Sequence, residues 1–168
     1  MSLTVRAMQT RDSEMVVQLN ADAVAFTSPM DVDRLRVLKR LCSLCLVAEH
    51  HQTVVGFLLA MPEGVDYDNG NYCWFSQRLR HFLYVDRVVV SASARGLGVA
   101  SSLYERLYRE ATDTGALQIA AEIDCEPANV PSLQFHERQH FVEIGKRELP
   151  SGKWVSMQLR TVEQNLPS

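Results

Sequence analysis

The residues from His81 to Glu110 constrain the fold more than any other stretch. The run from His81 to Val90 is β-branched and aromatic, the composition of a buried strand. Beyond Val99 the apolar residues Leu103, Leu107 and Ala111 recur at helical spacing, with Tyr104 and Tyr108 beside them. Between the two lies a short turn carrying Gly96 and Gly98. A strand, a glycine-bearing turn and a helix N-terminus together make an anion site. The first N–H groups of the helix lack intrahelical acceptors, the helix dipole adds attraction, and glycine lets a phosphate come close to the backbone.

The 168 residues suit one domain, 1–168, with a real core. A net charge of −3 provides no basic field for nucleic acid. No apolar run reaches membrane-spanning length, and the N-terminus lacks the apolar core of a signal peptide, so the expected location is the cytoplasm. Cys42 and Cys45 form a C-x-x-C pair with no second pair to complete a zinc site, and the pair leads into a strand instead of opening a redox helix. Reduced thiols and no metal are the expectation for Cys42, Cys45, Cys73 and Cys125. The adjacent His50 and His51 would point apart on an extended chain, which argues against metal there too.

In chain order, Leu3–Met8 alternates as a first strand. Thr10 or Asp12 can cap a helix whose apolar face is Met15, Val16, Leu19 and Ala23. After a break at Thr27-Ser28-Pro29-Met30, Asp31 or Asp33 begins a second helix with Val32, Leu35, Leu38 and Leu41 on one side. Arg34, Arg36, Lys39 and Arg40 form its solvated face. Cys45–Glu49 and Thr53–Met61 read as strands joined by a hairpin turn at His50, His51 and Gln52. Pro62–Asn71 is irregular and acidic, with Tyr72, Trp74 and Phe75 following. It reads either as a lid or as a surface loop anchored by an aromatic plug. After the central stretch come a strand at Leu117–Asp124, a short helix at Ser132–Gln139, and strands at Phe141–Leu149 and Trp154–Leu159 joined by a turn. The tail from Gln164 to Ser168 is expected to fray. This order predicts an α+β fold: a single mixed, mostly antiparallel sheet flanked by helices, with one strand-helix-strand crossover.

Ser93-Ala94-Arg95-Gly96-Leu97-Gly98 is neither a P-loop nor a dinucleotide fingerprint, because the Lys-Ser/Thr pair and the third glycine are missing. Strand, Arg95-Gly96-Leu97-Gly98-Val99-Ala100 and amphipathic helix resemble the acyl-CoA-binding motif of the GNAT superfamily of N-acetyltransferases, Arg/Gln-x-x-Gly-x-Gly/Ala. Gly96 and Gly98 match, and Ser93 stands in the leading position. Downstream, the run from Asn129 to Phe141 resembles the family's second motif, Asn-x-x-Ser-x-x-Phe-Tyr-x-x-x-Gly-Phe. Asn129, Ser132, Phe135 and Phe141 match, while His136 replaces the tyrosine and His140 the glycine.

The resemblance implies a GNAT-like fold, acetyl-CoA as co-substrate and an amine as its partner, in a protein that is a monomer or a homodimer. It implies that the diphosphate binds the loop at Arg95, Gly96, Leu97, Gly98, Val99 and Ala100. The pantetheine would pair with the backbone of Val88, Val89 and Val90, with the Val90 N–H aimed at the oxyanion. Asn129, Ser132 and Phe135 would complete the coenzyme site. Asp86, in strand register with Val88 and Val90, is the candidate base, with a salt bridge to a nearby arginine as its alternative role. Asp124 and Glu126 are reserves across the expected splay. His136 is the candidate proton donor to the thiolate, its alternative being a packed helix residue. If His140 is left-handed it carries modest strain. Tyr67, Tyr72 and Trp74 are candidates to line the acceptor pocket. Acetyl transfer from acetyl-CoA to a primary amine is the expected function: the acceptor is a small molecule, an amino-acid derivative or a protein N-terminus. The alternatives are a non-catalytic acyl-CoA-binding regulatory module and a nucleotide-binding α/β protein.

Overall fold

The computed structural model describes residues 2–164. Seven strands form one sheet: β1 (Thr4–Ala7), β2 (Leu44–His50), β3 (Thr53–Pro62), β4 (Phe82–Val90), β5 (Gln118–Glu126), β6 (Val142–Glu148) and β7 (Trp154–Thr161). Five helices flank it: α1 (Ser13–Asp22), α2 (Val32–Leu41), α3 (Gly70–Ser76), α4 (Val99–Thr114) and α5 (Val130–Arg138). The spatial order of strands is β1-β2-β3-β4-β5-β7-β6. Every neighbouring pair is antiparallel except β4 and β5, which α4 connects as the expected crossover. The expectation for the tail falls, apart from Gln164, outside the described residues.

The sheet buries a core on each face. Val16, Leu19, Leu35, Leu38, Tyr72 and Phe75 cover one side, so α1, α2 and α3 share it. Val99, Leu103, Tyr104, Leu107 and Ala111 of α4 cover the other, with Leu133 and Phe135 of α5 against them. Local signals set the helix starts. The Asp31 carboxylate accepts from Arg34 N at 2.7 Å and caps α2. Val32, expected on the apolar face of α2, is exposed, as is Met15 of α1. The β2–β3 turn is the two-residue loop His51-Gln52 with φ of 50° and 62°, both left-handed, as the right-handed twist of a tight hairpin requires.

Helix α3 was not expected. Asn69 caps it, its Oδ1 accepting from Asn71 N at 3.0 Å and Tyr72 N at 3.1 Å, but the cap sits inside an Asn-Gly-Asn run that reads as a turn. Tyr72 and Phe75 are buried in the core, and the Tyr72 hydroxyl donates to Pro62 O at 2.7 Å. The aromatic plug is therefore real and helical.

Candidate active site

The central strand breaks its own alternation. Leu59 pairs with Arg87 and Ala60 with Val85, so Asp86 is an extra residue in β4, a β-bulge. Phe82, Tyr84 and Val89 pack on the α1–α3 side, and Leu83, Val85, Val88 and Val90 on the α4 side. Asp86 bonds to Tyr67, and Arg87 to Asn20 of α1, so both turn toward the α1–α3 side. The expected register of Asp86 with Val88 and Val90 is thus corrected: the bulge reverses the parity, and Asp86 faces away from those two side chains.

Beyond the bulge β4 also parts from its neighbour. The ladder to β5 covers only Phe82, Leu83 and Tyr84, paired with Gln118, Ile119 and Ala120. The Ser91 N–H donates to Val55 O of β3 at 2.8 Å. Alternation then directs the backbone groups of Val89 to β3 and those of Val88 and Val90 into the opened gap, where no strand among the described residues pairs with them.

At the end of β4 the chain turns through Gly96 and Gly98, with φ of 80° and 74°, a conformation that costs other residues strain. Gly98 is the residue before α4. The N–H groups of Gly96, Gly98, Val99 and Ala100 have no acceptor among the described residues, and they converge at the N-terminus of a 16-residue helix. Leu97 is 48% exposed at the rim. Gly56 of β3 makes this approach possible, because a Cβ there would stand 2.8 Å from Val99 Cγ1.

On α5 the Asn129 side chain caps the helix, its Oδ1 accepting from Ser132 N at 3.4 Å. His136 is buried between the two helices. Its Nδ1 lies 2.8 Å from Ser132 O, and its Nε2 lies 2.7 Å from the Tyr104 hydroxyl. A carbonyl only accepts, so Nδ1 carries the proton and Nε2 accepts from Tyr104. Burial lowers the pKa of His136, which favours the neutral ring over the imidazolium expected from the sequence. Phe135 packs edge-on against Tyr104, their ring centroids 5.1 Å apart. His140 does adopt the left-handed region, with φ of 65°.

A cavity of about 430 Å³ opens where β4 and β5 diverge. Asp86, Val88 and Val89 line it from β4, Glu122 and Asp124 from β5, and Asn129, Ser132, His136 and Tyr104 from the α4–α5 side. Val90, Phe135, Glu126 and the residues from Arg95 to Ala100 lie outside this lining. Of the three expected pocket aromatics only Tyr67 contributes; Tyr72 serves the core and Trp74 stacks under Arg78 at 3.8 Å.

The carboxylates of the cavity differ in what holds them. Asp86 accepts from the Tyr67 hydroxyl at 2.6 Å and from Arg87 Nε at 2.7 Å, so both its oxygens are engaged. Asp124 accepts from Lys153 Nζ at 3.2 Å. Glu122 has no cation among the described residues. Its Oε1 accepts from the Tyr84 hydroxyl at 2.8 Å, and its Oε2 is buried without a partner among the described residues. Burial, above all, pushes its pKa up to about 8. Sequence reading passed over Glu122 because it alternates within β5 like any strand residue. It passed over Tyr104 because it sits on a helix face that reads as core.

The split sheet thus brings together a helix end with free N–H groups, a strand edge beyond its ladder, and a carboxyl with one oxygen unpartnered among the described residues. Residues 13–141 match the Acetyltransferase (GNAT) family. The chain belongs to the GNAT acetyltransferases. Three solved structures share the GNAT fold across almost the whole chain. Ard1 from Thermoplasma volcanium superposes with a TM-score of 0.80 at 17% identity, over 97% of this chain and 99% of that one. The ribosomal-protein-S18-alanine N-acetyltransferase from Escherichia coli has a TM-score of 0.73 at 12% identity, over 96% and 94%. YncA from Salmonella typhimurium, solved with its cofactor acetyl-CoA, also has 0.73, at 17% identity, over 100% and 98%. No curated protein matches this sequence.

Proposed function

We propose that this GNAT protein moves the acetyl group of acetyl-CoA to a primary amine by direct attack in a ternary complex. The two substrates reach the split from opposite faces of the sheet. Acetyl-CoA lies on the α4–α5 side, its diphosphate on the N–H groups between Gly96 and Ala100 and its pantetheine along the free edge of β4. Asn129, Ser132 and Phe135 wall that side. The amine enters from the α1–α3 side and meets Glu122.

Glu122 accepts the ammonium proton, the amine attacks the thioester carbonyl, and a β4 main-chain N–H of Val88 or Val90 stabilises the oxyanion. The C–S bond then breaks and the thiolate takes a proton. Tyr104 supplies the phenol expected of this family's second motif, from α4 instead of α5: its O–H turns from neutral His136 Nε2 to the sulfur, and solvent restores the proton to the phenolate. Asp86, tied to Arg87 and Tyr67, positions the wall of the cavity. The single observation behind this reading is the buried Glu122 Oε2, without a partner among the described residues, at the divergence of β4 and β5. Mixing the protein with acetyl-CoA and a panel of primary amines tests it. Free thiol and acetylated amine should appear together; coenzyme binding without either product would favour a non-catalytic regulatory module.

A further inference from the structure

Charge inside the cavity is paired off with one exception. Arg87 is 7% exposed and bound to Asp86 at 2.7 Å; Lys153 is bound to Asp124 at 3.2 Å. These are the two Arg and Lys residues that line the cavity, and each already has its acid. Glu122 is the one lining carboxyl without a cation among the described residues. Once Glu122 ionises, the cavity is short of a single positive charge.

Hydrogen-bonding capacity is left over as well. Arg87 spends Nε on Asp86 and Nη1 on Asn20 Oδ1 at 3.1 Å and Ser28 O at 3.0 Å. Its Nη2 has no acceptor among the described residues. Arg87 is among the residues that line the cavity.

We infer that the acceptor is a monocationic amine without any carboxylate or phosphate of its own, and that a neutral amide carbonyl beside the amine receives the Arg87 Nη2 hydrogen bonds. This deepens the proposed function and rests on its assignment of the amine to Glu122. An ammonium completes the charge balance. A free amino acid would bring a second negative charge into a site whose cations are already spent, and that carboxylate would lie beside Asp86 or Asp124. A neutral carbonyl uses the spare N–H groups and adds no charge. The acceptor class is thus the aminoacyl amide, as found at a peptide N-terminus, in preference to the free amino acid.

The test compares three forms of leucine and of phenylalanine: free acid, amide and decarboxylated amine. Binding to the CoA-loaded protein is measured by calorimetry, and acetyl transfer by product formation. The amides should bind and react at least tenfold better than the acids. The decarboxylated amines, which are more basic than the amides, should also exceed the acids, which excludes amine basicity as the cause. In Asp124→Asn, Lys153 is released to meet a carboxylate, and the amide-to-acid ratio should fall about tenfold. In Lys153→Met that ratio should not fall. Preferential amide binding without transfer would sustain the inference and defeat the acetyl-transfer reading. Acids that bind as well as amides, or an Asp124→Asn ratio equal to wild type, would overturn the inference whether or not transfer occurs.

Discussion

Replacing Glu122 with Gln keeps the shape and the bond from Tyr84 but removes the titration. In the wild type the carboxyl ionises near 4.5 when unfolded and near 8 when folded. Between those values the unfolded chain holds fewer protons than the folded one. Stability therefore falls as pH rises, by about 1.4 kcal/mol per unit at most. The interval from 4.5 to about 8 bounds the total at about 5 kcal/mol. Glu122→Gln escapes this loss, so its stability relative to wild type should improve on going from pH 5 to pH 9. In a chain of this size each kcal/mol moves Tm by about 2–4 °C. Activity should respond in the opposite sense. Wild-type kcat/KM should rise with pH along a limb with an apparent pKa near 8, and the variant should lose that limb and about 10²–10⁴ in rate. Thermal melts and kcat/KM profiles over that pH range provide both readouts. A variant within threefold of wild type, with the same acidic limb and a stability difference that does not change with pH, would refute the reasoning and return the base role to Asp86.

Tyr104→Phe should lower kcat more than KM and cost about 1–3 kcal/mol in denaturant melts, because it strips the donor from buried His136 Nε2. Gly56→Ala forces its Cβ against Val99 and should destabilise by about 1–3 kcal/mol, with weaker acetyl-CoA binding by calorimetry as the start of α4 shifts. Gln52→Gly, and separately His140→Gly, should relieve left-handed strain and stabilise by up to about 1 kcal/mol in melts. The lowered pKa of His136 means that the unfolded chain gains a proton first as pH falls below 6.5. Stability should then drop on acidification, and His136→Gln should weaken that drop.

The glycine-bearing loop, the cap at Asn129 and the helix faces of α2 and α4 were legible because each depends on neighbours within a turn or two. The C-terminal strands were legible as strands but not in their order, since nothing local says that β7 lies between β5 and β6. The α3 cap was hidden by the flanking turn residues, and the sequence pattern of β4 continues smoothly through the bulge.

What the chain of residues determined alone is the proposed diphosphate seat, because backbone N–H groups, glycine φ angles and a helix dipole are properties of a short segment. What only the tertiary structure decided is which side chains line the cavity beside it. Inserting Asp86 into the β3–β4 ladder swings it and Arg87 to one face, where they satisfy each other. β4 parts from β5 after Tyr84, Glu122 Oε2 on β5 has no partner among the described residues, and packing α5 on α4 brings Tyr104 against His136, 32 residues away. Strand register, sheet splay and helix docking are long-range choices, and the protonation states that govern the chemistry follow from the burial they create.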